Sequence, residues 1–546
     1  MVSKQTVFAV PDGQDTASRT SATRYTELRD SISDLNSVLV SDTEPDIHDR
    51  SRRGSVMTAI HPEEVDPAET KPPEASASVL GSFFNMTNAI VGAGMIGLPF
   101  AFSEAGFFTG ILLLLSLGYI TDWTLRLLAY STKLSGRNTY QELVCFCFGR
   151  LGFHLISFSQ FVFAFGGMCA FNVIIGDTIP HVLRAIFPTI YNSPVLLFLT
   201  SRQVLITLIT LCISYPLSLY RDMGKLAKTS ALALVAMVII VTAVIVEAPK
   251  APPEARGSQE GKWSFIRPDV FQAIAVMGFA FVCHHNSFMI YSSLRTPTLN
   301  RYARVIHLSA IISVSVCVIM ASVGYLNFTD KTKSNILNNF SDTNVFINVA
   351  RFCFGFNMIT TYPMEAFVAR EVIEGYVSYF RSTPASAFKR PNPQQYARLA
   401  DGVELDSDPV ELHSSETLAA SNSSREGADM PSFQFMHDEI DLAPAPFSRV
   451  RHVAVTTAMM LASLLISLLT CDLGIVIEIT GGISATALAF ILPSACYLRL
   501  ASGSKWTLAK LPLWALLVFG LVVLLLSPAM AVYRLIHSDN SERHTC

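Results

Sequence analysis

The sequence predicts an all-α polytopic membrane protein with eleven transmembrane helices. Three observations carry that prediction. The 546-residue chain is 51% hydrophobic and only 15% charged, whereas a soluble domain carries about a quarter charged residues. The apolar residues gather into eleven runs of the length a bilayer demands, about 20 residues each. Lys and Arg cluster in alternate short loops, as they do on the cytosolic side of membrane proteins. The net charge is −3, with no broad basic region, which argues against nucleic acid as a partner.

The first element is a tail, residues 1–75, rich in Ser, Thr, Asp and Arg. Such a segment buries too little apolar surface to offset the entropy of ordering, so a disordered cytosolic tail is expected. It opens MVSKQTVFAVPDGQD, without the apolar stretch of a cleaved signal peptide. The membrane domain then covers 76–536. Its first five runs are Gly81–Phe102, Phe107–Ser131, Phe153–Ile179, Gln203–Tyr220 and Thr229–Val246. The next three are Val270–Ser292, Val305–Asn327 and Asn344–Val368. A long polar loop, 379–448, precedes Val453–Cys471, Leu473–Leu498 and Leu511–Ile536, and a short tail, 537–546, closes the chain.

Orientation follows from the basic residues. Lys133, Arg137 and Arg150 join spans two and three, and Arg221, Lys225 and Lys228 join four and five. Arg295, Arg301 and Arg304 join six and seven, and Arg499, Lys505 and Lys510 join ten and eleven. These loops share one side with the N-terminal tail and 379–448, which places the N-terminus in the cytosol. The Lys250–Arg267 loop, with four basic residues, runs against the pattern. The 537–546 tail is then non-cytosolic. So is the loop between spans seven and eight, which carries the sequons Asn327-Phe-Thr and Asn339-Phe-Ser. Most of the ten cysteines lie inside apolar runs, without the spacing of a zinc site.

Two spans break the rules of a membrane helix. Span one reads GSFFNMTNAIVGAGMIGLPFAF, with Gly92, Gly94 and Gly97 ahead of Pro99. Glycine weakens a helix and proline removes a hydrogen bond. Freed backbone groups in a bilayer must find partners in protein or in a cavity. Close packing of small residues is one reading. An unwound segment whose N–H groups hold a ligand carboxylate is the other. Span six reads AIAVMGFAFVCHHNSFMIYSSL, where Gly278, His284, His285 and Asn286 interrupt the apolar run. Polar residues at that depth are costly unless they face a cavity or a partner. The two interrupted spans are five apart, each opening a set of five. That is the sequence pattern of a transporter built from two repeats, with a ligand site between the broken helices.

The strings FNMTNAIVGAGMIGLPFAFSEAG and GFAFVCHHNSFMIYSSL resemble the amino acid/auxin permease superfamily. The similarity is to its vacuolar amino acid transporters and its sodium-coupled neutral amino acid transporters, and it runs from about Leu80 to Ile536. It implies a five-plus-five inverted repeat, leucine-transporter-like, plus one extra helix. It also implies an amino acid as substrate and either H+ or Na+ as coupling ion, with no cofactor. By the same resemblance, Gly92, Ala93 and Gly94 are the stretch that binds the substrate carboxylate. Phe279, Ala280 and Cys283 belong to an unwound part of span six. Asn88 matches an asparagine implicated in cation binding, and Thr361, with Thr360 next to it, matches a threonine of span eight. Backbone carbonyls near Val91 would complete a cation shell. The system A/N relatives have proline where this chain reads His-Asn-Ser, a departure that favours the vacuolar type.

A proton-coupled carrier needs a group that changes charge near ambient pH. His284 and His285 are the first candidates. Glu478 is the second, about 9 Å into span ten. Asp122, Asp177 and Glu365 are expected near the interfaces, solvated or capping, and Arg126 is expected to snorkel. Arg52-Arg53-Gly54-Ser55 offers a site for a basic-directed kinase at Ser55. The leading expectation is a proton-linked amino acid transporter of a vacuolar or lysosome-like membrane. The rivals are a sodium-coupled neutral amino acid importer at the plasma membrane and an amino acid sensor with little transport. An enzyme is not expected, because the chain has no nucleophile elbow, P-loop or metal cluster.

Overall fold

The computed structural model describes residues 78–220, 230–295, 297–382, 448–470, 472–501 and 510–537. The N-terminal tail before Ser78, with Ser55, most of the 379–448 loop and most of the C-terminal tail lie outside the described residues. What is described is all-helical, with no β-strand among the described residues. Among the described residues, nine helices are long and apolar enough to cross a membrane, and the protein is a multi-pass membrane protein. The other two expected spans are present as helices of a different character. The fourth, Arg202–Ser218, is a shorter apolar helix. The eighth, Val345–Ser382, is a 38-residue helix that carries Arg351, Glu365 and Arg370. Arg351 and Arg370 are almost wholly buried. These two charges are taken up by protein, and the helix contains the apolar run expected at 344–368 from Val345 onward.

Span one is broken where its glycines predict. Val79–Ile90 is α-helical and capped by Ser78, whose hydroxyl accepts from Gly81 N–H at 3.1 Å. The chain bends at Val91 and Gly92, tightens into the 3-10 helix Ala93–Gly97, and resumes as Leu98–Ala105. Pro99 sits in the first turn of that last helix, where its missing N–H costs nothing. Span six is split in the same way into Val270–Phe281 and His284–Ser293, with Val282 and Cys283 between them. Phe279 and Ala280 therefore stand in the last turn of a helix, and only Cys283 of the three expected residues is in the break itself.

Two further irregularities shape the bundle. Tyr140–Ile186 turns sharply at Gly149, whose φ of 65° suits glycine. Span ten widens into π-turns over Gly481–Ala485 and Ala487–Ile491, and Tyr140 donates its hydroxyl to Leu488 O at 2.9 Å there. π-Turns inside membrane helices are associated with functional positions. The second half of span one packs on Val270–Phe281 and on Leu299–Phe328. Val270–Phe281 is flanked in turn by the widened part of span ten and by Leu511–His537. Span eight lies mainly along span three. Of the two broken helices, span six is the more enclosed, with 78% of its apolar window buried against 56% for span one.

The connections after spans five and seven cover one end of the bundle. Arg267 N–H donates to Ala105 O at 3.1 Å, and its guanidinium donates to Ser103 O at 2.6 Å. Arg351 reaches up from span eight to the carbonyls of Leu337 and Phe340, both at 2.9 Å. The amide groups of both sequons are engaged. Asn327 donates to Val323 O at 2.8 Å within its helix, and Asn339 donates to Lys331 O at 2.7 Å.

Candidate functional site

The two breaks meet. A Cβ placed on Gly94 would stand 2.5 Å from the Ala280 Cα, so glycine is the residue that allows this approach. Gly97 faces Val276 one turn further along the same pair. In the 3-10 turn the first donor is Met95 N–H, to Gly92 O at 3.3 Å. The N–H groups of Gly92, Ala93 and Gly94 precede it, and the start of a helix leaves such donors without an intrahelical partner. On span six, Val282 N–H donates to Gly278 O at 3.1 Å and ends the helix. The carbonyls of Phe279, Ala280 and Phe281 then have no donor in their own helix. Free N–H groups and free carbonyls are brought side by side in a buried place. Phe163 of span three lies over both parts of span six, 5.4 Å from the Phe279 ring and 4.7 Å from that of His285. Sequence reasoning passed over Phe163 because an aromatic residue in an apolar run carries no signal of its own.

The residues expected around a cation are spread along these elements. Asn88 is half-buried in the last turn before the break, and Val91 closes that turn by donating to Thr87 O at 2.8 Å. Thr360 donates to Asn357 O at 2.9 Å, and Thr361 donates to the same carbonyl at 2.8 Å. Each hydroxyl has given its proton to its own helix and keeps lone pairs for another group. No hydrogen bond links Asn88 to Thr361 among the described residues.

The titratable candidates differ sharply from one another. His284 is fully buried, with Nε2 2.9 Å from Thr124 Oγ1 of span two. His285 is half-buried, and neither of its ring nitrogens has a hydrogen-bond partner. Glu478 is 1% exposed, and its Oε1 lies 3.5 Å from Arg534 Nη1. Arg534 also meets Glu104 at 2.8 Å. Neither Glu104 nor Arg534 was singled out in the sequence, since both stand near the ends of spans, where charge is unremarkable. Asp122 and Asp177 were expected near the interfaces, solvated or capping, and both stand in ion pairs instead. Asp122 is 7% exposed and paired with Arg126 at 2.8 Å and His307 at 2.7 Å. Asp177 is largely buried, with Arg202 at 3.4 Å and the Asn338 amide at 3.2 Å. Arg126 spends its guanidinium on Asp122. Glu365 lies against Gly167 of span three, with Oε2 buried and unpartnered. It follows Thr361 by one helical turn, on the same face.

The profile of the family described as transmembrane amino acid transporter protein matches residues 75–537. The chain belongs to this family. That span includes both broken helices and every described residue, so family membership extends over the whole bundle. Among curated relatives, the chain is 34% identical over 520 residues to vacuolar amino acid transporter 2 of Saccharomyces cerevisiae, covering 94% of this chain and 96% of that protein. It is 35% identical over 429 residues to the human putative sodium-coupled neutral amino acid transporter 11, covering 79% of this chain and 88% of the relative. Among solved structures, MhsT in complex with L-phenylalanine aligns with a TM-score of 0.49 at 12% identity, covering 84% of this chain and all of that one. The family is one of transporters, not of enzymes.

Proposed function

We propose that this protein is a secondary active transporter that carries amino acids across a vacuolar or lysosome-like membrane, linked to protons. The observation that supports it most is the meeting of the two breaks at Gly94 and Ala280. N–H groups at Gly92, Ala93 and Gly94 suit a carboxylate, and the carbonyls that end Val270–Phe281 suit an ammonium group. A free amino acid presents both within a few bonds of each other. Phe163, Phe279 and Cys283 then bound the space for its side chain. The relative named a vacuolar amino acid transporter, matched over nearly the full length of both chains, supports the compartment. The N-terminus is cytosolic in this reading and the 329–344 loop lumenal, and the chain crosses the membrane eleven times. His284, His285 and Glu478 are the groups proposed to take part in proton coupling.

A second reading has one observation in its favour. The relative named a sodium-coupled neutral amino acid transporter matches almost as well. In that case Asn88, Val91, Thr360 and Thr361 supply oxygens for Na+. Purified protein in proteoliposomes separates the readings. Flux of a panel of labelled amino acids is measured with pH and sodium gradients imposed one at a time. Flux that follows the pH gradient and persists when sodium is replaced by choline is expected. Flux that needs sodium and ignores the pH gradient would overturn proton linkage. No flux under either gradient would leave a sensor rather than a transporter.

A further inference from the structure

One guanidinium holds three carboxylates from three different spans. Arg534, near the end of span eleven, has Nη1 2.8 Å from Glu104 Oε1 and 3.5 Å from Glu478 Oε1, and Nη2 3.5 Å from Asp269 Oδ1. Glu104 is the last residue but one of Leu98–Ala105, and Asp269 precedes Val270–Phe281. The cluster therefore ties the ends of both broken helices to spans ten and eleven. Asp269 is half-exposed and its charge is screened by solvent. Glu104 and Glu478 are 7% and 1% exposed. Glu104 Oε2 and both oxygens of Glu478 are buried without a hydrogen-bond donor.

We propose that Glu104 and Glu478 form a proton-binding site that holds one proton between them, facing Arg534. With both carboxylates ionised, two buried negative charges share one positive charge, and three buried oxygens lack donors. A single added proton makes the trio neutral. The new O–H supplies a donor where none exists, because a protonated carboxyl group donates one hydrogen bond. Buried charge without a partner is costly enough that such groups give up or take up a proton instead. The neighbouring charged groups are already engaged. Asp472 accepts from Ser334 at 2.7 Å and from Gly474 N–H at 2.8 Å. Arg267 donates to Ser103 O and to the Tyr325 hydroxyl. His537, one turn from Arg534, has Nδ1 3.0 Å from Tyr533 O. None of them supplies a second positive charge to the pair in these contacts.

The site deepens the transport reading and rests on it for its purpose, since proton occupancy would be felt at the ends of the two helices that enclose the substrate. Its existence is tested apart from transport. The full chain is purified into lipid nanodiscs, and the carboxyl C=O band is followed by infrared difference spectroscopy through a pH titration in H2O and D2O. A titrating band equal to one protonated carboxyl group is expected, absent in both Glu104→Gln and Glu478→Gln. Arg534→Gln should enlarge it, because the pair loses its counter-charge. Glu104→Asp and Glu478→Asp serve where a glutamine variant fails to fold, and they should shift the band without abolishing it. A band that is unchanged in folded Glu104→Gln and Glu478→Gln, or in the two aspartate variants, would overturn the proposal. Proteoliposome flux keeps the two readings distinguishable. The band present with flux indifferent to pH leaves the site standing and removes proton linkage. Proton-driven flux without the band removes the site and leaves linkage standing.

Discussion

His284 and His285 are neighbours in sequence and opposites in surroundings. Successive residues of a helix point about 100° apart. That rotation carries the His284 ring to Thr124 and the His285 ring to Phe163. Two consequences differ accordingly. His284→Ala and Thr124→Val should each lower thermal stability by about 1 kcal/mol, with a double variant no worse than the larger single one, because each removes the same hydrogen bond. His285→Gln should leave stability near wild type and change the pH dependence of flux. A wild-type pH profile in His285→Gln would remove it from the coupling groups. Gly94 is the other decisive single residue. Gly94→Ala drives a methyl group into Ala280, and overpacking of this kind costs about 1–3 kcal/mol. Ala280→Gly removes the Ala280 Cβ that stands 2.6 Å from the added atom but leaves the Cα at 2.5 Å, so it should rescue folding in part. Thermal unfolding in detergent reads both. The glycine was legible in the sequence as a break. Its partner was not, since Ala280 is separated from it by four whole spans.

At the scale of elements, span eight shows how tertiary structure hides charge. Arg351 is fully buried; its two terminal nitrogens donate to Leu337 O, Phe340 O and Asn348 Oδ1, while its Nε has no hydrogen-bond partner. Arg370 reaches Ser218 O at 2.9 Å and Thr456 at 3.1 Å, joining spans four, eight and nine. Arg351→Met would strand the loop carbonyls, and unmet buried acceptors cost about 1–3 kcal/mol each. The variant should unfold at a distinctly lower temperature and expose 329–344 to protease. Protection equal to wild type would show that the loop is held by other contacts. The cation reading is tested on the same helix. Thr361→Ser keeps the hydroxyl and should keep flux, whereas Thr361→Val and Asn88→Ala should each lower it several-fold. An interhelical hydrogen bond in a membrane contributes about 0.6 kcal/mol on average, so a purely structural role would lower stability slightly and leave ion dependence alone. Equal flux in Thr361→Ser and Thr361→Val, with unchanged ion dependence, would leave only that role.

Across the whole molecule, the testable consequence is which face is which. Cysteines placed at 331–342 should react with a membrane-impermeant reagent from the lumenal side of sealed vesicles. Cysteines placed within 383–447 should react only from the cytosolic side. The reverse pattern would invert the orientation and with it the compartment that Glu104 and Glu478 face. Hydropathy and glycine and polar placement were enough to predict an all-helical membrane protein and which two spans are broken. Those features are local, because a bilayer acts on each segment through its own composition. The sequence also marked His284, His285 and Glu478, because a polar residue inside an apolar run stands out without reference to any other. Tertiary structure alone decided which of these groups have partners. It buried Asp122 and Asp177 in ion pairs, kept Phe279 and Ala280 helical, and laid Phe163 over the break. It also gathered Glu104, Asp269 and Glu478 around the guanidinium of Arg534. These four stand in four separate stretches of the chain, and all but Glu478 are unremarkable near a helix end. Only folding sets them within one ion pair's reach, where Coulomb energy in a low dielectric makes their charges interdependent.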